Sequence, residues 1–382
     1  MACSNLRQLI CVILTEPKKN VAMKTYVILI IAVMIAWCCS KSDNNMNNNN
    51  PPPPPSITTN YAQTNLVADT GSYGAAFVDS ALKNAWGIAV NPTGVVWVSA
   101  NHTGTSTIYD STGKTLFGPV AIPFGADHFG GSPTGQVFNA TADFIIPANQ
   151  KKAKFIFANE NGTISAWSDG DSAHTVADRS SDEAVYKGLV LANDGTANFL
   201  YVANFKGKKV DVFDNGFNYV TNKPFADPQI PADFGPFNIA NIGGKLYVTY
   251  AKLKAPDNED DEKGAGNGYI DVFDMNGNLI TRFASQGVLN SPWGIAQAPN
   301  GFGIPFHSIV VGNFGDGKIN VFDSTGVALG TLQSGGSPIV ISGLWALVFP
   351  NNEVATMDPN KLYFTAGPGD EEHGLFGYIR AQ

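Results

Sequence analysis

Seven polar side chains stand out because each occurs once against a repeating background: Glu160, Lys187, Tyr250, Lys252, Asp316, Asp370 and His373. Carboxylates, two lysines and an imidazole gathered on one face would hold a polar ligand, or a hard cation such as Ca²⁺ that prefers oxygen donors. His373 follows Glu371 and Glu372, so it is a candidate general base oriented by a carboxylate. The plainer alternative is a surface histidine in a solvated loop. Segment 257–262 packs five acidic residues into six. It lacks the internal glycine of an EF-hand and reads as an exposed insertion, with weak Ca²⁺ binding as the alternative. The other histidines, His102, His128, His174 and His307, show no pair at metal-ligand helical spacing. No nucleophile elbow, P-loop or dinucleotide fingerprint occurs in a supporting context.

Composition narrows the chemistry further. All four cysteines precede Ser40, which removes disulfides, cysteine-based zinc sites and thiol nucleophiles from the rest of the chain. A net charge of -8 argues against nucleic acid as a partner, since phosphate neutralisation needs a basic surface. With 40 glycines, 23 prolines and only 15% charged residues, the chain reads as short strands joined by many turns.

The elements that would position these residues repeat six times, about fifty residues apart. Trp86-Gly87-Ile88-Ala89, Trp293-Gly294-Ile295-Ala296 and Trp345-Ala346-Leu347-Val348 are the clear openers, and weaker ones begin at Pro133, Tyr186 and Pro236. A second apolar run follows each opener, as at 200–202 and 309–311; its β-branched and aromatic residues suit a buried strand. A third run alternates apolar and polar residues, as in Val210-Asp211-Val212-Phe213 and Ile319-Asn320-Val321-Phe322. A turn such as Asn276-Gly277 then leads to a fourth run. Four strands per unit and six units predict an all-β, six-bladed propeller with four-stranded antiparallel blades over 61–382. The last unit stops at its third strand, so 62–68 is expected to supply the fourth and close the ring. Loops before the first strand and between the second and third fall at one end, where the seven polar residues are expected to meet. Asn101, Asn159, Asn204 and Asn313 recur after the second strand and read as turn residues. Trp86, Trp293 and Trp345 are expected to pack between blades.

The front of the chain carries a different signal. A run of apolar residues at 26–37 follows Lys24; it is too short for a bilayer of about 30 Å and fits the apolar part of a signal peptide. Met23 is then the expected start, with 1–22 an overextended leader or long amino-terminal region, and 23–39 the signal. Cys38-Cys39 resembles a lipobox, with Cys39 the expected lipid site and Cys38 the alternative. Residues 40–60, an asparagine run and five prolines, read as a tether.

From about Leu66 to Arg380 the chain resembles a family of exported bacterial proteins, six-bladed propellers of the broad NHL and YVTN type. Asn159-Glu160-Asn161-Gly162, Tyr186-Lys187-Gly188-Leu189, Gly312-Asn313-Phe314-Gly315-Asp316 and Glu372-His373-Gly374 are among the residues that carry the resemblance. The family brings no catalytic residues. Some six-bladed propellers, gluconolactonase-like or strictosidine-synthase-like, hold an axial metal through Glu, Asn and Asp. That likeness of fold makes Glu160, Asn204, Asn313 and Asp316 the candidate ligands for a metal-assisted hydrolase or lyase. The leading expectation is a bacterial cell-envelope protein, exported and lipid-anchored on the periplasmic or outer-membrane face. Its membrane contact would be the lipid, and its loop-bearing face would bind a protein, peptide or glycan.

Labelling with a palmitate analogue is expected to mark the wild-type chain and to fail in Cys39→Ala. A soluble, unlabelled wild-type product would overturn the lipid anchor.

Overall fold

The computed structural model describes residues 57–124, 128–351 and 354–382. The signal segment, Cys38, Cys39 and most of the tether lie outside the described residues. Among the described residues no helix is long and apolar enough to cross a membrane.

Six antiparallel sheets follow one another along the chain, five of four strands and one of five. The first blade runs Ala85–Val90, Val96–Ala100, Thr105–Tyr109 and Thr115–Ala121, in spatial as in chain order. The inner strands of the next five blades are Pro133–Phe138, Tyr186–Asn193, Phe234–Ile242, Pro292–Gln297 and Leu344–Val348. These are the six openers of the repeat. The sixth blade is completed by Tyr61–Ala68, which pairs antiparallel with Leu375–Ala381 from Tyr61↔Ala381 to Ala68↔Leu375. The ring is thus closed by residues from both ends of the domain, which removes the unpaired edges an open sheet would leave. A two-residue strand, Phe77–Val78, adds in parallel outside it.

Each pair of neighbouring blades encloses its own apolar layer. Ile156, Ala158, Leu189, Leu200, Val202 and Phe213, for example, fill the space between the second and third blades. The period-2 pattern of the strands supplies these layers, since alternate residues face opposite neighbours. The recurrent Asp after the third strand is a turn residue. The carboxylates of Asp110, Asp214, Asp274 and Asp323 each accept backbone N–H groups two and four residues on.

All six inner strands carry a β-bulge at the second equivalent residue, the register shifting between the first and fourth residues in five blades and between Pro236 and Asn238 in the fourth. The bulge re-aims one side chain. Its residues are Trp86, Thr134, Lys187, Phe237, Trp293 and Trp345, and the four aromatic ones meet on the ring axis. Trp86 and Trp345 lie 3.8 Å apart by ring centroids, Trp293 and Trp345 5.9 Å, Phe237 and Trp345 5.8 Å. The tryptophans therefore plug the axis, which corrects the expectation that they pack between blades. The residue after the bulge is glycine in four blades, where inner strands nearly touch. A Cβ on Gly87 would stand 2.5 Å from the Thr134 carbonyl oxygen, and one on Gly135 2.7 Å from the Leu189 nitrogen.

Closure through Tyr61–Ala68 is expected to carry much of the stability. Tyr61 is fully buried and donates its hydroxyl to the Phe302 carbonyl at 3.0 Å. Tyr61→Ala should cost about 3–5 kcal/mol in chemical denaturation, and deletion of 57–69 should cost more. An unchanged melt after that deletion would sink the closure argument.

Candidate functional site

The bulge position that holds tryptophan in three blades holds Lys187 in the third. Its side chain is 2% exposed and its ammonium lies 5.1 Å from the centre of the Trp86 ring. An ammonium so placed needs anionic partners, because leaving water costs several kcal/mol. Glu160, the residue after the second strand of the second blade, supplies one at 2.5 Å, and Asp260 of the fourth blade stands at 3.8 Å. The second carboxylate oxygen of Glu160 accepts the Asn101 amide at 2.9 Å.

Asn84 links this pair to the sixth blade. It precedes the first inner strand with φ 45°, a left-handed conformation that Asn tolerates better than most residues. Its Oδ1 accepts the indole N–H groups of Trp86 at 2.8 Å and Trp345 at 3.0 Å. Two donors on the oxygen fix the orientation of the amide. The NH₂ group therefore points away from the plug, where it donates to Glu371 Oε2 at 2.7 Å and comes within 3.4 Å of His102 Nε2. Asn84, Asn101, His102, Glu160, Lys187, Asp260 and Glu371 thus form one polar cluster on an aromatic floor, drawn from five blades.

The cluster separates its carboxyl groups electrostatically. Burial alone would raise Glu160, but the Lys187 ammonium and the Asn101 amide outweigh it and hold the carboxyl below the usual range. Burial likewise opposes the charge on Lys187, and Glu160 with Asp260 and Glu371 more than offsets it, so its affinity for the proton rises. Glu371 goes the other way. Burial, with Glu160 and Asp260 adding repulsion, raises it despite the Asn84 amide and Lys187. Asp261 is also raised, chiefly by burial, against the pull of Ser291, Lys263 and Lys187.

Of the residues singled out from the sequence, the structure brings Glu160 and Lys187 together and places the others elsewhere. Tyr250 is buried between the third and fourth blades, lining a separate cavity of about 330 Å³ with Phe225, Asp227 and Phe234. Lys252 pairs with Glu262 at 2.8 Å on the rim. Asp316 pairs with Lys318 at 3.1 Å and accepts the Asn313 amide. Asp370 is exposed in a turn with φ 53°. His373 places Nδ1 2.9 Å from Asp69, just beyond the closing strand, so Asp69 and not Glu371 or Glu372 orients it. Only its backbone serves the cluster, accepting the Asn84 N–H at 3.1 Å. A carboxylate does orient His373, but it is that of Asp69 at the ring closure.

The proposed metal set also fails to assemble. Asn204 donates to Asp211 at 2.9 Å within the third blade, Asn313 to the Val288 carbonyl at 2.8 Å within the fifth, and Glu160 is engaged by Lys187. Among the described residues no group of three or more His, Cys, Asp or Glu side chains is placed to hold a metal ion. The four candidate ligands, Glu160, Asn204, Asn313 and Asp316, do not fit a common cation, and the Ca²⁺ expectation has no site behind it there. The acidic insertion is not uniformly exposed either. Asp261 is 9% exposed and pairs its backbone with Leu253.

Asn84 and Asn101 were missed from the sequence. Asn101 looked like its repeat equivalents, and only its side chain crosses to the next blade. Lys187 carried a readable signal, since alignment of the openers already sets it against Trp86.

No protein-family model matches the chain. It is 37% identical over 320 residues to the uncharacterized protein L690 of Acanthamoeba polyphaga mimivirus, covering 80% of this chain and 82% of that protein. It is 36% identical over 317 residues to protein R648 of the same virus, covering 80% and 76%. Among solved structures, a streptogramin B lyase aligns over 86% of this chain and all of its own, with TM-score 0.50 and 11% identity. The GH93 alpha-L-arabinofuranosidase of Fusarium graminearum, in complex with arabinobiose, aligns over 78% of this chain and 93% of its own, with TM-score 0.51 and 10% identity. At such identities the likeness shows the propeller fold alone. The two relatives L690 and R648 are viral, whereas the resemblance read from the sequence was to exported bacterial proteins. The chain belongs to the family of L690 and R648.

Lys187→Met should cost about 3 kcal/mol by leaving Glu160 uncompensated, and adding Glu160→Gln should recover most of it. Because Glu371 is raised, its contribution to stability is complete below its ordinary value of 4.5 and is lost as pH rises through the folded value. Thermal melts of Glu371→Gln should therefore match wild type near pH 4 and exceed it at neutral pH.

Proposed function

We propose that this member of the L690 and R648 family is a ligand-binding propeller that takes a protein, peptide or glycan group at the loop-bearing end of its axis. One observation carries the reading: Lys187 stands, buried and charged, where three other blades place tryptophan. A scaffold alone gains nothing from that exchange, because the ion pair costs desolvation that an aromatic side chain would avoid. Hydroxyl and amide groups of a ligand are what a cluster of Asn, Glu and Lys on an indole floor complements. The lipid anchor at Cys39, on the envelope of a cell, belongs to the same proposal and rests on the amino-terminal sequence alone.

A second reading, hydrolysis or elimination without a metal, is favoured by a specific feature. Glu160 is held ionised while Glu371 favours its proton, the division of labour expected of a base and an acid. The lyase and arabinofuranosidase propellers suggest which reactions to assay first.

The full chain should be screened on glycan and peptide arrays, and any ligand titrated against His102→Ala and Glu371→Gln. Binding weakened by about tenfold or more in either variant, with no loss of thermal stability, is the expected result. Unchanged affinity in both would overturn the axial site. Product release from arabinobiose or a streptogramin B, lost in Glu371→Gln, would favour the enzyme.

A further inference from the structure

The far side of the axial cluster, between the fourth and fifth blades, is left polar and unmatched. Asp261 is 9% exposed, and its Oδ2 is buried without a hydrogen-bond partner. The Ser291 hydroxyl, fully buried, lies near enough to Asp261 to act on its carboxyl without forming a well-aligned hydrogen bond, and the indole N–H of Trp293 has no partner. The internal repeat explains how this arises. Ser291 stands two residues before Trp293 as Asn84 stands two before Trp86, and both adopt left-handed φ, 49° and 45°. In the first blade the Asn84 amide oxygen reaches the indole N–H. Serine has a shorter side chain and leaves both groups unmet. Buried polar atoms are costly when unpaired, and the poorly matched Asp261 and Ser291 mark a position for a polar group from outside the chain.

The charges nearby say which kind of group. Glu160, Asp260, Asp261 and Glu371 all act electrostatically on or with Lys187. Glu160 and Asp260 are ion-paired with it, while Asp261 and Glu371 are not. Lys263, whose charge acts on Asp261, lies over the Phe314 ring at 4.3 Å, while Lys206 and Lys252 are paired with Glu259 and Glu262. The carboxyls of Asp261 and Glu371 are therefore left near Lys187 without an ion pair of their own. Resting on the axial-site reading above, we infer that the bound ligand presents a free primary ammonium group, as on an amino sugar or a lysine side chain, to Asp261 and Ser291. An ammonium has three donors and no acceptor, which suits a carboxylate beside a hydroxyl oxygen.

Asp261 and Glu371 must ionise to meet such a ligand. The groups facing Asp261 are Ser291, Lys263 and Lys187; those facing Glu371 are Asn84, Lys187, Glu160 and Asp260. Both carboxyls are raised, so affinity for an ammonium should increase with pH above the ordinary carboxylate range, and added salt should weaken it.

The test titrates the full chain with two matched pairs of probes. Glucosamine is compared with N-acetylglucosamine, and Nα-acetyl-lysine amide with its Nε-acetylated form. In at least one pair the amine should bind about tenfold tighter than its acetylated partner, and the pair that does so identifies the source. Asp261→Asn should abolish that preference while leaving the acetylated form unchanged, and Ser291→Ala should reduce it if the first variant folds poorly. Equal affinity of amine and amide in both pairs overturns the inference, as does a preference that survives both substitutions. If a ligand found on the arrays depends on His102 and Glu371 but ignores amine acetylation, the ammonium is refuted and the axial site stands. If no ligand responds to any of these residues, both fall.

Discussion

Everything at the axis follows from the close approach of six inner strands. Where they meet, neighbouring backbones leave no room for side chains at Gly87, Gly135, Gly188 and Gly294. The preceding residue is lifted out of the sheet by a bulge and sent inward. Six inward side chains must then fill or line one narrow space. Four are aromatic and close it. Thr134 satisfies its hydroxyl on the carbonyls of Ala158 and Tyr186. Lys187 alone brings charge, and the polar cluster is built around it.

That charge organises its surroundings by elimination. Glu160 must stay ionised to match the ammonium, and Asn101 is drawn across a blade boundary to the remaining oxygen. Two indole N–H groups hold the Asn84 oxygen, so its NH₂ has only the solvent side left, where Glu371 lies. With the ammonium already paired, further carboxyls find less compensation than burial demands. Glu371 and Asp261 consequently retain protons more firmly than free side chains do. One polar substitution in an aromatic ring thereby sets the ionisation of residues in the second, fourth and sixth blades.

The fold was legible to within a residue or two per strand. The openers at Ala85, Pro133, Tyr186, Pro292 and Leu344 begin the inner strands, because short β-branched and aromatic runs between Gly- and Asn-rich turns have few other solutions. The closing role of Tyr61–Ala68 was legible by counting, as the sixth unit lacked a fourth strand. The site was only partly legible. Picking polar residues that do not repeat found Glu160 and Lys187, but Tyr250, Lys252, Asp316, Asp370 and His373 also fail to repeat, for local reasons. Each has an ordinary place in the scaffold: a phenol between blades, two rim ion pairs, an exposed turn, a contact at the ring closure.

The sequence by itself determined the architecture, because repeat length, strand pattern and turn chemistry are periodic and local. It also placed one lysine at a position that is aromatic in four of the six units, a fact visible by alignment of the chain with itself. Tertiary structure decided which polar residues share a space. Asn84, Asn101, Glu160, Lys187, Asp260 and Glu371 lie up to 287 residues apart, and their meeting depends on bulge direction and strand register. It also decided which carboxyls ionise readily, since burial and neighbouring charge are properties of the closed ring rather than of any segment within it.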